Sequence, residues 1–127
     1  MAIGQYILDD DGNPRLEPDV LKWAMWYEYS HLSPGKDNRI LGKDYIGDAH
    51  VSTIFLGLDY SHRRNPERPI LWETMIFGGE HDQYMQRYDS KDAALAGHAI
   101  AVKMVQESQA DLRELERMAE AGGWTKK

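Results

Sequence analysis

The spacing of apolar positions switches along this chain between strand-like alternation and helical recurrence, and each switch predicts an element. Residues 5–17, QYILDDDGNPRLE, alternate weakly around Asp11, Gly12, Asn13 and Pro14, a turn signal that predicts a terminal hairpin. In DVLKWAMWYEYSH, Val20, Trp23, Ala24 and Tyr27 recur at helical spacing, and Asp19 stands where its carboxylate caps the first turn. This predicts a short aromatic-rich helix. Leu21, Met25, Trp26 and Tyr29 widen its apolar surface beyond what one sheet face covers, so a second contact is expected from a subunit, a partner protein or a covering loop. Residues 33–38, SPGKDN, read as a loop.

From Arg39 the pattern becomes extended. RILGKDYIG, HVSTIFLGLDY, ILWETMIFGG and the shorter QYMQRYD read as successive strands, with Gly47 and Asp48 as one turn, the loop SHRRNPERP, and Gly78 and Gly79 as another turn. Connections this short predict antiparallel neighbours, because a parallel crossover needs about a dozen residues or more. Ser90 then opens a long helix, with Asp92 in its first turn and Leu95, His98, Val102 and Val105 as the stripe expected to face the sheet. Gly97, set among alanines, is read as a point of close packing. The helical spacing weakens at Ser108–Asp111, which predicts a break or a second helix there. LRELERMAEAGG follows, with a thin stripe of Leu112, Leu115 and Met118 suited to a projecting arm or a two-stranded oligomer contact.

The predicted class is α+β: an antiparallel meander of about four to six strands packed on a long C-terminal helix, with a short aromatic-rich N-terminal helix. Residues 1–107 form one domain and residues 108–127 a helical arm, a possible homodimer contact through residues 108–122. The chain has 127 residues, 42% of them apolar, enough to bury a core without staples. It has no cysteine, which excludes disulfides and thiolate metal ligands. No apolar run approaches the roughly 18 residues of a membrane span, and charges interrupt the N-terminus before signal-peptide length, so a cytoplasmic protein with no membrane contact is expected. A net charge of −6 works against sequence-independent nucleic-acid binding and favours a basic partner.

The chemistry centres on Glu73, a carboxylate in the middle of an apolar strand. Alternation puts Leu71, Glu73, Met75 and Phe77 on one face and Ile70, Trp72, Thr74 and Ile76 on the other, with neither face expected to meet solvent. Burying an unpaired carboxylate is costly, so Glu73 is either neutralised by Arg87 or His50 on a neighbouring strand, or is a general base. The catalytic alternative groups Glu73 with His62 or His81, and a metal alternative draws on Asp59, His62, Glu73, His81 and Asp82. His98, on an apolar stripe, reads as a hydrogen-bonded core residue. Arg63, Arg64 and Arg68 make the loop between the central strands locally basic, a candidate grip for a phosphate or an acidic protein patch. Trp23, Trp26 and Tyr27 are candidate interface anchors.

VSTIFLGLDY, WETMIFGGEHDQYMQRYDS and DAALAGH together resemble a family of small uncharacterised proteins of tailed phages and prophages, over roughly residues 45–100. The resemblance carries no catalytic residues. It implies a product acting in the cytoplasm of a bacterial host, on a host system. Where that family has a short link rich in glycine and proline, this chain has SHRRNPERP, so a ligand at that loop is not implied. The expectation is therefore a non-enzymatic inhibitor of a host defence. It would bind a host protein or ribonucleoprotein by anti-CRISPR-like occlusion of a basic site, or sequester a nucleotide signal, with no cofactor and no direct sequence-specific nucleic-acid contact. The alternative is a small metal-assisted or acid/base hydrolase centred on Glu73.

Overall fold

The computed structural model describes residues 4–29, 38–61 and 67–122. Nearly all of the expected 33–38 loop lies outside those residues, as do His62, Arg63 and Arg64 of the basic loop. The described chain is α+β. A hairpin, β1 (Tyr6–Leu8) and β2 (Pro14–Leu16), precedes α1 (Val20–Tyr29); β3 (Ile40–Ile46), β4 (Ala49–Phe55), β5 (Trp72–Phe77) and β6 (Met85–Tyr88) follow, and α2 (Lys91–Ala121) ends the fold. β3 to β6 form one antiparallel sheet in sequence order, the expected meander, and the hairpin pairs separately.

Local chemistry sets the boundaries. Asp19 Oδ1 accepts from the amides of Leu21 and Lys22, capping α1, and Ser90 Oγ accepts from the amide of Ala93, capping α2. Gly78 and Gly79 both take positive φ in the β5–β6 connection, and a side chain at Gly78 would run into the carbonyl of Asp48. The hairpin is tied to the chain beyond β4, where Tyr6 donates to the Gly57 carbonyl and Asp59 to that of Gly4.

α2 covers only one face of the sheet. The side chains turned toward it are Val51, Thr53 and Phe55 of β4 and Trp72, Thr74 and Ile76 of β5, all buried. Against them α2 buries Ala94, Gly97, Ala101, Val105 and Ser108. The buried stripe is thus rotated one residue from the predicted one: Leu95 is exposed and only Val105 is common to both. Small residues lie on the inner line because the helix backbone sits close to the sheet. Gly97 shows the limit, since a Cβ there would overlap the ring and hydroxyl of Tyr88.

The expected break at Ser108–Asp111 is absent, and α2 runs through it without interruption. The polar residues that weaken the pattern mark where the helix crosses the end of the sheet. Ser108 Oγ donates to Glu80 Oε2 at 2.8 Å, and Gln109 Nε2 donates to the carbonyl of Ile46 at 3.1 Å. Both side chains bond groups at the end of the sheet that an apolar side chain could not.

At an exposed helical position Gly→Ala stabilises by up to about 1 kcal/mol. Gly97→Ala is instead expected to lower the unfolding free energy by about 1–3 kcal/mol in urea denaturation, through overpacking against Tyr88. Adding Tyr88→Phe should recover part of the loss. A Gly97→Ala protein as stable as the parent would disprove the close approach.

Candidate functional site

The sheet face that α2 leaves open is the candidate interaction site. Strand alternation and register place Ile40, Lys43 and Tyr45 of β3, His50, Ser52 and Ile54 of β4, Glu73, Met75 and Phe77 of β5, and Met85 and Arg87 of β6 on it. The prediction that neither face meets solvent is therefore corrected. Tyr45 is 70% exposed, Met85 46% and Phe77 39%, because no layer lies over them among the described residues. Tyr45, His50 and Phe77 are direct cross-strand partners and form one row of rings. Centroids lie 5.2 Å apart for Tyr45 and His50 and 4.7 Å for His50 and Phe77. Such pairing across strands holds the row in place before anything docks on it.

Glu73 lies on this same face and is 9% exposed. Its register partner on β6 is Arg87, whose Nε donates to Glu73 Oε2 at 2.9 Å. The Arg87 guanidinium also stacks 4.4 Å above the ring of Tyr60. One of the two expected partners is thus the actual one; the other, His50, is engaged with Tyr45 and Phe77 instead. Glu73 is neutralised by an arginine and walled by its neighbours, while His62, one of the histidines grouped with it, lies outside the described residues.

The other predicted residues that are described have partners of their own. Asp59 Oδ1 accepts from the amides of Ser61 and Ile70, so it organises its own loop. Asp82 Oδ1 caps the β5–β6 connection by accepting from Gly78. His81 sits in that same connection, where its carbonyl accepts from Tyr84. Among the described residues no three His, Asp or Glu side chains converge to hold a metal. Arg68 reaches Asp89 at 3.0 Å, so its charge is matched locally. Trp23, Trp26 and Tyr27 are half-buried. Trp23 Nε1 donates to the carbonyls of Tyr6 and Gly57, Trp26 meets Phe55 edge-on, and Tyr27 stacks on Trp23 beneath Arg39. These rings join α1 to the body, and α1 turns Leu21, Met25 and Tyr29 outward.

A cleft of about 430 Å³ opens between the β1–β2 turn and the start of β3, floored by Phe55 and Trp72 and rimmed by Asp9, Asp11, Arg39 and Lys91. Its size suits a small ligand. Its charges are mixed, and Asp9 already accepts from the amides of Asp11 and Asn13 to shape the turn.

A second polar arrangement, invisible to the motif search, lies between sheet and helix. His98 Nε2 is 2.7 Å from Asp44 Oδ2, and His98 Nδ1 is 2.7 Å from Thr53 Oγ1, which is 2.5 Å from Thr74 Oγ1. A carboxylate only accepts, so Nε2 carries the proton in the neutral ring. Nδ1 then accepts from Thr53, and Thr53 from Thr74. The order acid, imidazole, hydroxyl resembles a nucleophilic triad, but Thr53 and Thr74 are fully buried and no substrate reaches them. The chain ends at Tyr88, whose buried hydroxyl lies beside Thr74 without a well-formed hydrogen bond to any described atom. Burial pushes the Tyr88 phenol above its usual range; the Thr74 hydroxyl opposes that shift and Tyr84 adds to it. His98 is the hydrogen-bonded core residue expected of it.

Two measurements check these assignments. Arg87→Leu leaves Glu73 nearly buried without its cation and is expected to cost about 1–3 kcal/mol in urea denaturation. The Glu73→Leu/Arg87→Leu double variant should be milder, and a double variant as damaged as the sum of its singles would show that the pair is uncoupled. The second concerns Tyr88. Its folded-state pKa is raised, so its contribution to stability is complete below about pH 10 and is lost as pH climbs from there through the folded value. Tyr6, raised by burial and then by Asp59, acts in the same direction. Tyr88→Phe should flatten the alkaline decline without removing it, and an identical decline in the variant would exclude Tyr88 as a source.

Comparison of the chain with models of protein families, with curated proteins and with solved structures finds no match to any of them.

Proposed function

We propose that this chain is a non-enzymatic binding protein of phage origin that blocks a component of a host defence by occupying a site on it, with the open sheet face as the docking surface. The observation that carries this reading is the row of Tyr45, His50 and Phe77, exposed at Tyr45 and Phe77 with His50 half-buried between them, beside half-buried Met75 and exposed Met85, on a face where the carboxylate of Glu73 is already neutralised by Arg87. Exposed aromatic and methionine side chains on a rigid sheet are the composition of interface centres. They are also a poor surface to leave in water unless something covers it.

The charges are unevenly placed. Lys43 and Arg87 sit on the open face, whereas much of the acidity that makes the net charge −6 lies elsewhere, at Asp9, Asp10 and Asp11 of the hairpin turn and along α2. Because the acidic groups lie away from the open face, contact there rests on the rings and methionines rather than on charge. Among the described residues no helix is long and apolar enough to cross a membrane.

The test uses phage plating on bacteria that carry a nucleic-acid-guided defence, with and without the expressed chain. The parent should restore plaques. Tyr45→Ala and Phe77→Asp should each weaken the complex with the purified effector about tenfold or more, with melting temperatures little changed. Failure of the parent to protect against any defence tested, or full protection by both variants, would remove this reading.

A further inference from the structure

The inward line of α2 does not stop where the sheet stops. Ala94, Gly97, Ala101, Val105 and Ser108 are buried, and the same spacing carries on through Leu112, Leu115 and Ala119. Beyond Gln109 the helix projects for twelve residues to Ala121, roughly 18 Å at helical rise. Nothing described covers it there: Leu112 is 52% exposed and Leu115 55%. We propose that this projection is a self-association surface, on which two copies of the chain pair as antiparallel helices about a two-fold axis.

The occupant and its direction follow from the flanking charges. On the outer side of the projection Glu114 and Arg117 already satisfy one another within the helix. Arg113 and Glu116 flank the apolar line on one side and make no ion pair or hydrogen bond among the described residues. In an antiparallel pair like flanks face each other, which sets Arg113 of one copy beside Glu116 of the other, twice by symmetry. A parallel pair would instead bring Asp111 on the opposite flank toward Glu116, acid against acid. Leu112 and Leu115 of the two copies meet at the centre. About three turns of helix bury less than the roughly 1,200 Å² of a standard interface, so the dimer should be weak and reversible.

Sedimentation velocity of the full chain over a wide concentration range tests this, with circular dichroism to show that each variant stays folded. The parent should pass from monomer to dimer as concentration rises, and Leu115→Lys, at an exposed position, should remain monomeric. Arg113→Glu and Glu116→Arg should each weaken association about threefold or more, and the double variant, which exchanges the charges, should restore it. A parent that is monomeric throughout overturns the proposal. So does a Glu116→Arg protein that associates more tightly than the parent, the outcome a parallel pair requires. The surface is separate from the open sheet face, so loss of dimerisation leaves the defence reading standing.

Discussion

Helix α2 lies flat against the sheet because the positions it turns inward carry almost no side chain. Ala94, Gly97 and Ala101 let its backbone come close, and Val105 is the only sizeable aliphatic group on that line. The apolar volume between the layers is supplied from the sheet, by Val51, Phe55, Trp72 and Ile76. This division of labour makes the packing intolerant of added volume at Gly97, where the Tyr88 ring already occupies the gap. It also leaves room for polar atoms at the same interface. The Asp44, His98, Thr53 and Thr74 chain runs through it, and β3, β4, β5 and α2 each contribute one member. Hydrogen bonds have narrow geometric tolerance, so such a chain fixes the register of helix on sheet more sharply than alanine contacts do.

The strands were legible in the sequence because their alternation and turn residues agree with one another, and the pairing of Glu73 with Arg87 follows once β5 and β6 are neighbours. The inner line of α2 was not, because a search for recurring large apolar residues favours Leu95 over Ala94 and cannot see that a line of alanine and glycine is the buried one. The helix break failed for a related reason. Ser108 and Gln109 look like a loss of pattern, yet each has a specific partner at the end of the sheet, more than twenty residues away. Long-range partners leave no periodic trace. The buried threonines share this defect, since threonine is an ordinary strand residue and only the placement of His98 opposite them gives a hydroxyl a reason to be there.

The open face of the sheet exposes a different limit. Its apolar residues, Ile54, Met75 and Phe77, follow the same alternation as those beneath α2, so hydropathy alone assigns both faces to the interior. What separates them is the supply of covering elements. Among the described residues one long helix is available, and α1 is spent elsewhere: Trp23 bonds to the Tyr6 and Gly57 carbonyls, and Trp26 packs on Phe55. Counting helices against sheet faces, before assigning burial, would have found the uncovered side.

The length of α2 reinforces the same reasoning. Thirty-one helical residues span about 46 Å, whereas a seven-residue strand spans about 23 Å. The residues α2 buries against the sheet run from Ala94 to Ser108. Beyond Gln109 it buries no residue among those described, and an isolated projection of a dozen residues is marginal as a helix in water. Its regular form is inherited from the docked part, and each exposed leucine along it is a cost in solubility without a return inside the monomer. The continuity of that projection with the buried line is what the proposed pairing of two copies builds on.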